Sequence, residues 1–339
     1  MDNLEIVAFS NLTKNRPLLL ALFLSIYLVG LLGNTIITLC VITDLHLHKP
    51  MYIFLSNLAS VDMIFTTSSL TKLMDILLTG NNTISYVECF IQFCFYMFAA
   101  CTEATLLSFM SYDRYVAICK PLYYHLIMTR RHYILSLMGI WTLTSFNALF
   151  LTLTIYQIGI CHSNKIQHFF CEIKALDRIA CNKIRLHLIL YFEVIVLGVF
   201  PFLLSLTSYI KIISIILRMS STTGRKKAFS TCSSHLTVLG MFYGAGFCMY
   251  LKPPPKNLEE QDLVFSTLHT AVTPMLNPII YSLRNEEVKL AMQKIISWLH
   301  LDLGIFCHSS LKMLSRSVQL DGDYLWMLYS GLSKDVRFG

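Results

Sequence analysis

Seven times along this chain a long, mostly apolar stretch is followed by a short polar break. The stretches run Leu18–Ile42, Ile53–Ile76, Cys89–Ile118, Tyr133–Ile155, Leu186–Leu217, Ala228–Leu251 and Leu263–Leu283. About 20 apolar residues in a helix match the roughly 30 Å hydrocarbon core of a bilayer. Lipid offers the backbone no hydrogen-bond partner, so runs of this length are helices. Short breaks make sequential helices antiparallel neighbours. The pattern predicts an all-α membrane protein, a seven-transmembrane helix bundle whose two ends lie on opposite sides.

Outside residues 18–283 the pattern changes. Residues 1–17 are polar, with Lys14 and Arg16, and the run that follows is too long for the core of a signal peptide. The amino terminus is therefore expected to cross the membrane behind the first helix. Residues 284–299 place apolar side chains at helical spacing with charges opposite, which predicts a short amphipathic helix on the membrane surface. Residues 300–339 show no element and suggest no role.

Composition agrees. The 339 residues are 55% hydrophobic and only 14% charged, where soluble domains carry roughly a quarter charged residues. The net charge of +7 sits in the breaks rather than on one soluble face, which argues against nucleic-acid binding. Lys49, then Lys120, Arg130 and Arg131, then Arg218, Arg225, Lys226 and Lys227 fall on one side of the bundle, which the positive-inside rule makes cytoplasmic. The opposite side is not free of cations: Lys165, Lys174, Arg178, Lys183 and Arg185 share the longest break with Glu172 and Asp177. Two glycosylation sequons, at Asn11 and Asn81, also fall on that side.

Cys161, Cys171 and Cys181 lie in the long break, and Cys89 starts the third span. On an oxidising side four cysteines suggest two disulfides, though spacing leaves the connectivity open. A Cys89–Cys171 bridge would pin the long loop across the bundle, leaving Cys161 and Cys181 to staple its arms. Cys40, Cys94, Cys101, Cys119, Cys232 and Cys248 fall in or beside spans and fit as small apolar fillers. At the end of the third span, Met110-Ser111-Tyr112-Asp113-Arg114-Tyr115-Val116-Ala117-Ile118-Cys119 strands an arginine at the edge of hydrocarbon. That costs several kcal/mol unless it is paired or wetted. Asp113 can hold it until another partner replaces the pairing, which is the form of a switch rather than of a catalyst.

These motifs resemble those of rhodopsin-like G-protein-coupled receptors, specifically olfactory receptors, from about Leu18 to Leu299. The resemblance rests on Gly33-Asn34, on Leu47-His48-Lys49-Pro50-Met51-Tyr52-Ile53-Phe54-Leu55, and on Met110 to Cys119. It rests equally on Lys227 to His235, on Pro274-Met275-Leu276-Asn277-Pro278-Ile279-Ile280-Tyr281-Ser282-Leu283-Arg284-Asn285, and on His168-Phe169-Phe170-Cys171. Ser111, Glu172 and the long tail depart from the usual pattern.

The resemblance implies roles. Asn34, Asp62, Glu103 and Asn277 would form a polar core, and a sodium ion at Asp62 and Glu103 would suit their hard oxygens; a structural network of protonated acids is the plain alternative. Asp113, Arg114, Tyr115, Tyr209, His235, Asn277, Pro278 and Tyr281 would form the G-protein switch, with Pro278 kinking the seventh helix. Tyr96, Met97, Ala100, Cys101, Glu193, Val194, Leu197, Tyr243, Gly246, Tyr250 and Thr270 would line a ligand pocket, although each could equally pack helix against helix. Glu193 could pair with a cationic ligand or bond a neighbouring helix.

No catalytic constellation is present: His235 and His269 stand alone in different spans, and no Gly-x-Ser-x-Gly, phosphate loop or HExxH occurs. No cofactor beyond the sodium ion is expected. The expectation is a plasma-membrane receptor that binds a small odorant and activates a heterotrimeric G protein of the stimulatory kind. One rival is a receptor for a non-odorant metabolite, which would differ only in its pocket. A transporter or channel is another, but the inverted repeats it needs are not seen.

Overall fold

The computed structural model describes residues 3–7, 15–161, 163–250, 258–284, 287–295 and 297. Seven long helical passes occur in these residues. They are α1 (Arg16–Thr43), α2 (Pro50–Thr79), α3 (Tyr86–Cys119), α4 (Arg130–Ile158), α5 (Lys183–Arg218), α6 (Thr222–Tyr250) and α7 (residues 258–284). Six of them are long and apolar enough to cross a bilayer; α6, with Ser, Thr and Lys along its first half, is long enough but less apolar.

α3 is the hub, packed against α2, α4, α5 and α6. Of its most apolar window 72% is buried, against 17–22% in α1, α4 and α5, whose bare faces meet lipid. Residues 287–295 are helical, inside the segment expected to be amphipathic. The rest of that segment's irregular positions and residues 300–339 lie outside the described residues.

Two proline-linked irregularities shape α5 and α7. Val194–Val199 and Leu268–Val272 are wide, π-helical turns, each just ahead of a proline, Pro201 and Pro274. Proline offers no N–H and crowds the preceding turn, so the ladder slips by one residue there. The carbonyls of both prolines serve other helices: Ser108 Oγ donates to Pro201 O (2.8 Å) and Asn34 Nδ2 to Pro274 O (3.1 Å). The irregular turn of α7 thus lies earlier than the Pro278 kink expected from the sequence. Pro278 instead sits inside the helix Thr273–Arg284, with its ring against α1.

At the end of the bundle carrying the long loop, residues 3–6 form a strand. β1 (Asn3–Ile6) pairs antiparallel with β2 (Thr83–Ser85) and parallel with β3 (Lys165–Ile166). Leu4, Ile6, Ile84 and Ile166 are buried beneath this small sheet. Among the described residues Cys89–Cys171 and Cys161–Cys181 form disulfides, with Cα–Cα distances of 5.5 and 4.8 Å. The loop therefore folds inward as a cap, with His168, Phe169, Phe170, Cys171 and Glu172 all buried.

His168 fastens the cap to α7. Its Nε2 lies 3.0 Å from Ser266 Oγ, and that hydroxyl reaches Glu172 Oε2 at 3.4 Å. Burial and the nearby cations Arg178 and Lys174 push the His168 imidazole down to about 3 from its ordinary 6.5. The ring is neutral at physiological pH, so its 3.5 Å approach to Glu172 is a polar contact rather than an ion pair.

Two outcomes follow from this architecture. A Cβ on Gly33 would lie 2.9 Å from the Pro278 ring, while one on Gly139 would meet nothing within 4 Å. Gly33→Ala is expected to cost about 1–3 kcal/mol by overpacking and to lower the thermal midpoint of the purified protein, with Gly139→Ala as the unaffected control. For His168, the folded state resists a proton that the unfolded chain accepts near pH 6.5. Stability is therefore full above pH 6.5 and falls as pH drops toward 3, by roughly 2 kcal/mol between pH 6.5 and 5. Melting curves at pH 7 and 5 should separate for the wild type, and His168→Gln should narrow the gap.

Candidate functional site

The end of α3 away from the cap carries the arginine. Asp113 is 1% exposed, and Arg114 Nε stands 3.7 Å from its Oδ2, an approach without a hydrogen bond. Instead Tyr124, in the short helix after Pro121, donates its hydroxyl to Asp113 Oδ1 at 2.8 Å. Arg114 Nε faces Met51 Sδ at 3.3 Å. Its guanidinium is thus half-buried and loosely held. Tyr115 lies one residue on, with the ammonium groups of Lys120 and Lys211 over its ring at 5.9 and 5.4 Å. Tyr209 on α5 meets His235 on α6, Oη to Nδ1 at 2.7 Å, and Tyr281 on α7 is buried with a hydroxyl that has no hydrogen-bond partner.

Midway along the bundle, Asn277 Nδ2 donates to Asp62 Oδ2 at 2.9 Å, tying α7 to α2. Asn34 ties α1 to α7 through Pro274 O. Glu103 comes close enough to Asp62 for their charges to act on each other. Four oxygens here have no donor: Asp62 Oδ1, both carboxyl oxygens of Glu103, and Asn277 Oδ1. With both acids ionised these hard oxygens suit a small hard cation, and with a proton on either acid they close as a hydrogen-bond network.

Nearer the cap the expected pocket residues separate into three groups. Tyr96 is buried between Phe65 (ring centroids 5.3 Å) and Phe170 of the cap (4.9 Å). Tyr243 packs edge-on against Phe202 and Phe242, at 5.0 and 5.1 Å. Met97 and Cys101 are buried, and Ala100, Leu197 and Gly246 are half-buried. A second group has its polar atoms engaged by other helical groups or its side chain exposed. Thr270 is fully buried, but its hydroxyl bonds Ser266 O of its own helix. Glu193 accepts from Asn147 Nδ2 on α4 at 3.0 Å, so of its two expected roles the structure shows the bond to a neighbouring helix. Val194 is a correction: it is 51% exposed on the lipid face, because one residue's step along a helix turns it some 100° from Glu193. The third group is Tyr250, whose side chain lies outside the described residues, as does the Asn11 sequon. Asn81 is exposed.

Sequence reasoning missed three participants. His269, set aside as a lone histidine with no metal partner, bridges the aromatic groups: its ring meets Phe65 at 5.5 Å and Phe242 at 5.0 Å, and its Nδ1 has no partner. Gln92 holds the cap from below, accepting from Cys171 N at 2.9 Å and donating to Ser68 O at 2.8 Å. Tyr124 orients Asp113. Each is one polar side chain in an otherwise apolar or loop context, and a search by known motif passes over it.

The arrangement has an aromatic box under a pinned cap, a polar core below it, and a loosely paired arginine at the far end. This suits binding and conformational response. Comparison with known proteins agrees: a family profile described as "Olfactory receptor" matches residues 23–298. Human olfactory receptor 7C1 is 41% identical over 293 residues, covering 86% of this chain and 92% of that protein. Rat olfactory receptor 1 is 43% identical, covering 83% and 90% respectively. Human olfactory receptor 1N1 is 44% identical, covering 84% and 92%. This chain belongs to the olfactory receptor family, the multi-pass, non-enzymatic G-protein-coupled receptors of the plasma membrane.

Proposed function

We propose that this receptor binds a small volatile molecule in the aromatic box and, in response, presents Arg114 to a heterotrimeric G protein of the stimulatory, cyclase-raising type. The observation that carries this reading is the Arg114–Asp113 pair, 3.7 Å apart and without a hydrogen bond. A buried charge held this loosely is ready to exchange partners. The ligand class follows from the box. Its walls are mostly rings, and one polar atom in it, His269 Nδ1, lacks a partner. An orphaned buried polar atom costs about 1–3 kcal/mol, so an apolar ligand with one hydrogen-bonding group gains most there.

The cap end is extracellular in this reading. β1 places the amino terminus beside the disulfide-bearing loop, and disulfides belong to an oxidising side. The carboxyl terminus is then cytoplasmic, and exposed Asn81 is open to glycosylation. The donor-free oxygens of Asp62, Glu103 and Asn277 would hold a sodium ion, whose charge would offset two buried acids and stiffen the resting bundle.

Cyclic-AMP measurement in cells against an odorant panel tests the reading. The wild type should respond to at least one volatile, and Arg114→Ala at equal surface expression should respond to none. Tyr124→Phe frees Asp113 to turn onto Arg114, and should raise the half-maximal odorant concentration two- to tenfold, equivalent to ~0.5–1.5 kcal/mol. A panel-wide silence of a surface-expressed wild type would count against the reading.

The ion has its own readout. Replacing choline by sodium at ten times its dissociation constant should add about 1.4 kcal/mol to the stability of the purified receptor. Asp62→Asn should abolish that gain and the odorant response together while leaving surface expression.

A further inference from the structure

A cavity of about 720 Å³ opens between α2 and α3 near the cap, outside the aromatic box. We propose that it is a binding site for one zwitterionic phospholipid of the surrounding membrane. Its mouth faces hydrocarbon: the lining residues Ile91 and Phe95 are 52% and 53% exposed on helices that cross the bilayer. Its upper end is charged. Lys72 Nζ is paired with Asp75 Oδ2 at 2.7 Å, and both act electrostatically on Glu88. Glu88 is itself fixed, because its carboxylate accepts from Ser85 N (3.0 Å) in a capping box that starts α3. One lysine against two acids leaves the upper end with a net negative charge.

That combination selects a head group. A plain anionic lipid would bring its phosphate to an already neutralised lysine beside a spare carboxylate, and would be repelled. A sterol would leave the spare carboxylate without a complement. A choline or ethanolamine phosphodiester carries both signs: its phosphate can lie on Lys72 while its ammonium lies against Asp75 and Glu88. Its acyl chains would then run down Ile91 and Phe95, and a volume of this size takes a substantial part of one lipid.

The site bears on the cap. Gln92 lines the cavity and also accepts from Cys171 N, next to the Phe170 ring that closes the box over Tyr96. A lipid seated there braces Gln92 and steadies the cap from the membrane side. Binding itself does not depend on any odorant response, so the two can fail separately.

Native mass spectrometry of the receptor released from mixed vesicles of phosphatidylcholine and phosphatidylglycerol tests the proposal, together with peptide mapping of a photoreactive phosphatidylcholine. One retained phosphatidylcholine, preferred at least threefold over phosphatidylglycerol and cross-linked to α2 or α3 peptides lining the cavity, is the expected result. The double variant Asp75→Asn, Glu88→Gln keeps the capping box, since glutamine serves there as well, and makes the upper end positive. It should reverse the preference toward phosphatidylglycerol. Equal retention of both lipids by the wild type, an unchanged preference in the variant, cross-links elsewhere, or retention of added cholesterol in place of phospholipid would each overturn the assignment.

Discussion

Asn277 reaching across to Asp62 is the contact on which the bundle's arrangement turns. Lipid tails are as apolar as leucine, so helices in a membrane gain little by burying apolar faces on one another. Their mutual placement falls to close packing and a few polar bonds. One such bond crosses nearly every seam: Asn34 to Pro274 O between α1 and α7, Asn277 to Asp62 between α7 and α2, and Trp141 to Asn57 between α4 and α2. Thr102 with Thr144, Ser108 with Pro201 O, and Tyr209 with His235 join α3 to α4, α3 to α5 and α5 to α6. Glycines let the backbones come near enough for these bonds, as Gly33 does under Pro278 and Gly30 under Met275.

In the proposed function, the two ends of the molecule communicate through the same residues that hold it together. The aromatic box sits on His269, which is about one turn ahead of Pro274 and two turns ahead of Asn277. A ligand that moves the His269 ring acts on a stretch of α7 already loosened by that turn, and so on the Asp62 contact. Below it, Tyr281 lies near enough to Tyr209 for their hydroxyls to affect one another, and Tyr209 is the partner of His235 on α6. Of the passes, α6 is the least apolar, and it packs on α7 with Phe242 against the His269 ring at 5.0 Å and Met249 Sδ beside Ser266.

The fold was readable because hydrocarbon imposes a length. Seven long runs translate directly into seven passes, and each pass in the structure extends its run by a turn or so beyond the apolar core. α6 tested that logic, since its Ser- and Thr-rich half weakens the hydropathy signal while its length remains. The motif-bearing residues came next: Arg114, Asp62 and Asn277 were legible because a charge or amide in lipid has few uses. What the sequence hid was direction. Val194 and Glu193 are adjacent, and only the π-helical phase of α5 decides which faces lipid. The strand at Asn3–Ile6 was equally hidden, because four residues of alternating polarity become a strand only when Thr83–Ser85 and Lys165–Ile166 are brought beside them. His269 and Gln92 carry no motif, and their importance lies in what the fold sets against them.

Energetics constrain how such a receptor can work. Reversing a two-state population from 1:99 to 99:1 needs about 5.5 kcal/mol of differential binding. A volatile of roughly ten heavy atoms can supply at best about 3–15 kcal/mol in total, and much of that is spent equally on both states. The resting bundle must therefore lie only a few kcal/mol below the responsive one. Interhelical hydrogen bonds in membranes average roughly 0.6 kcal/mol each, so exchanging two or three seam bonds, and the Asp113–Arg114 contact with them, stays within reach of a small ligand. A tight Arg–Asp clasp or a dense salt-bridge network at the arginine end would put that reversal out of reach. In the proposed function, the 3.7 Å approach of Arg114 to Asp113 keeps the exchange within so small an energy supply.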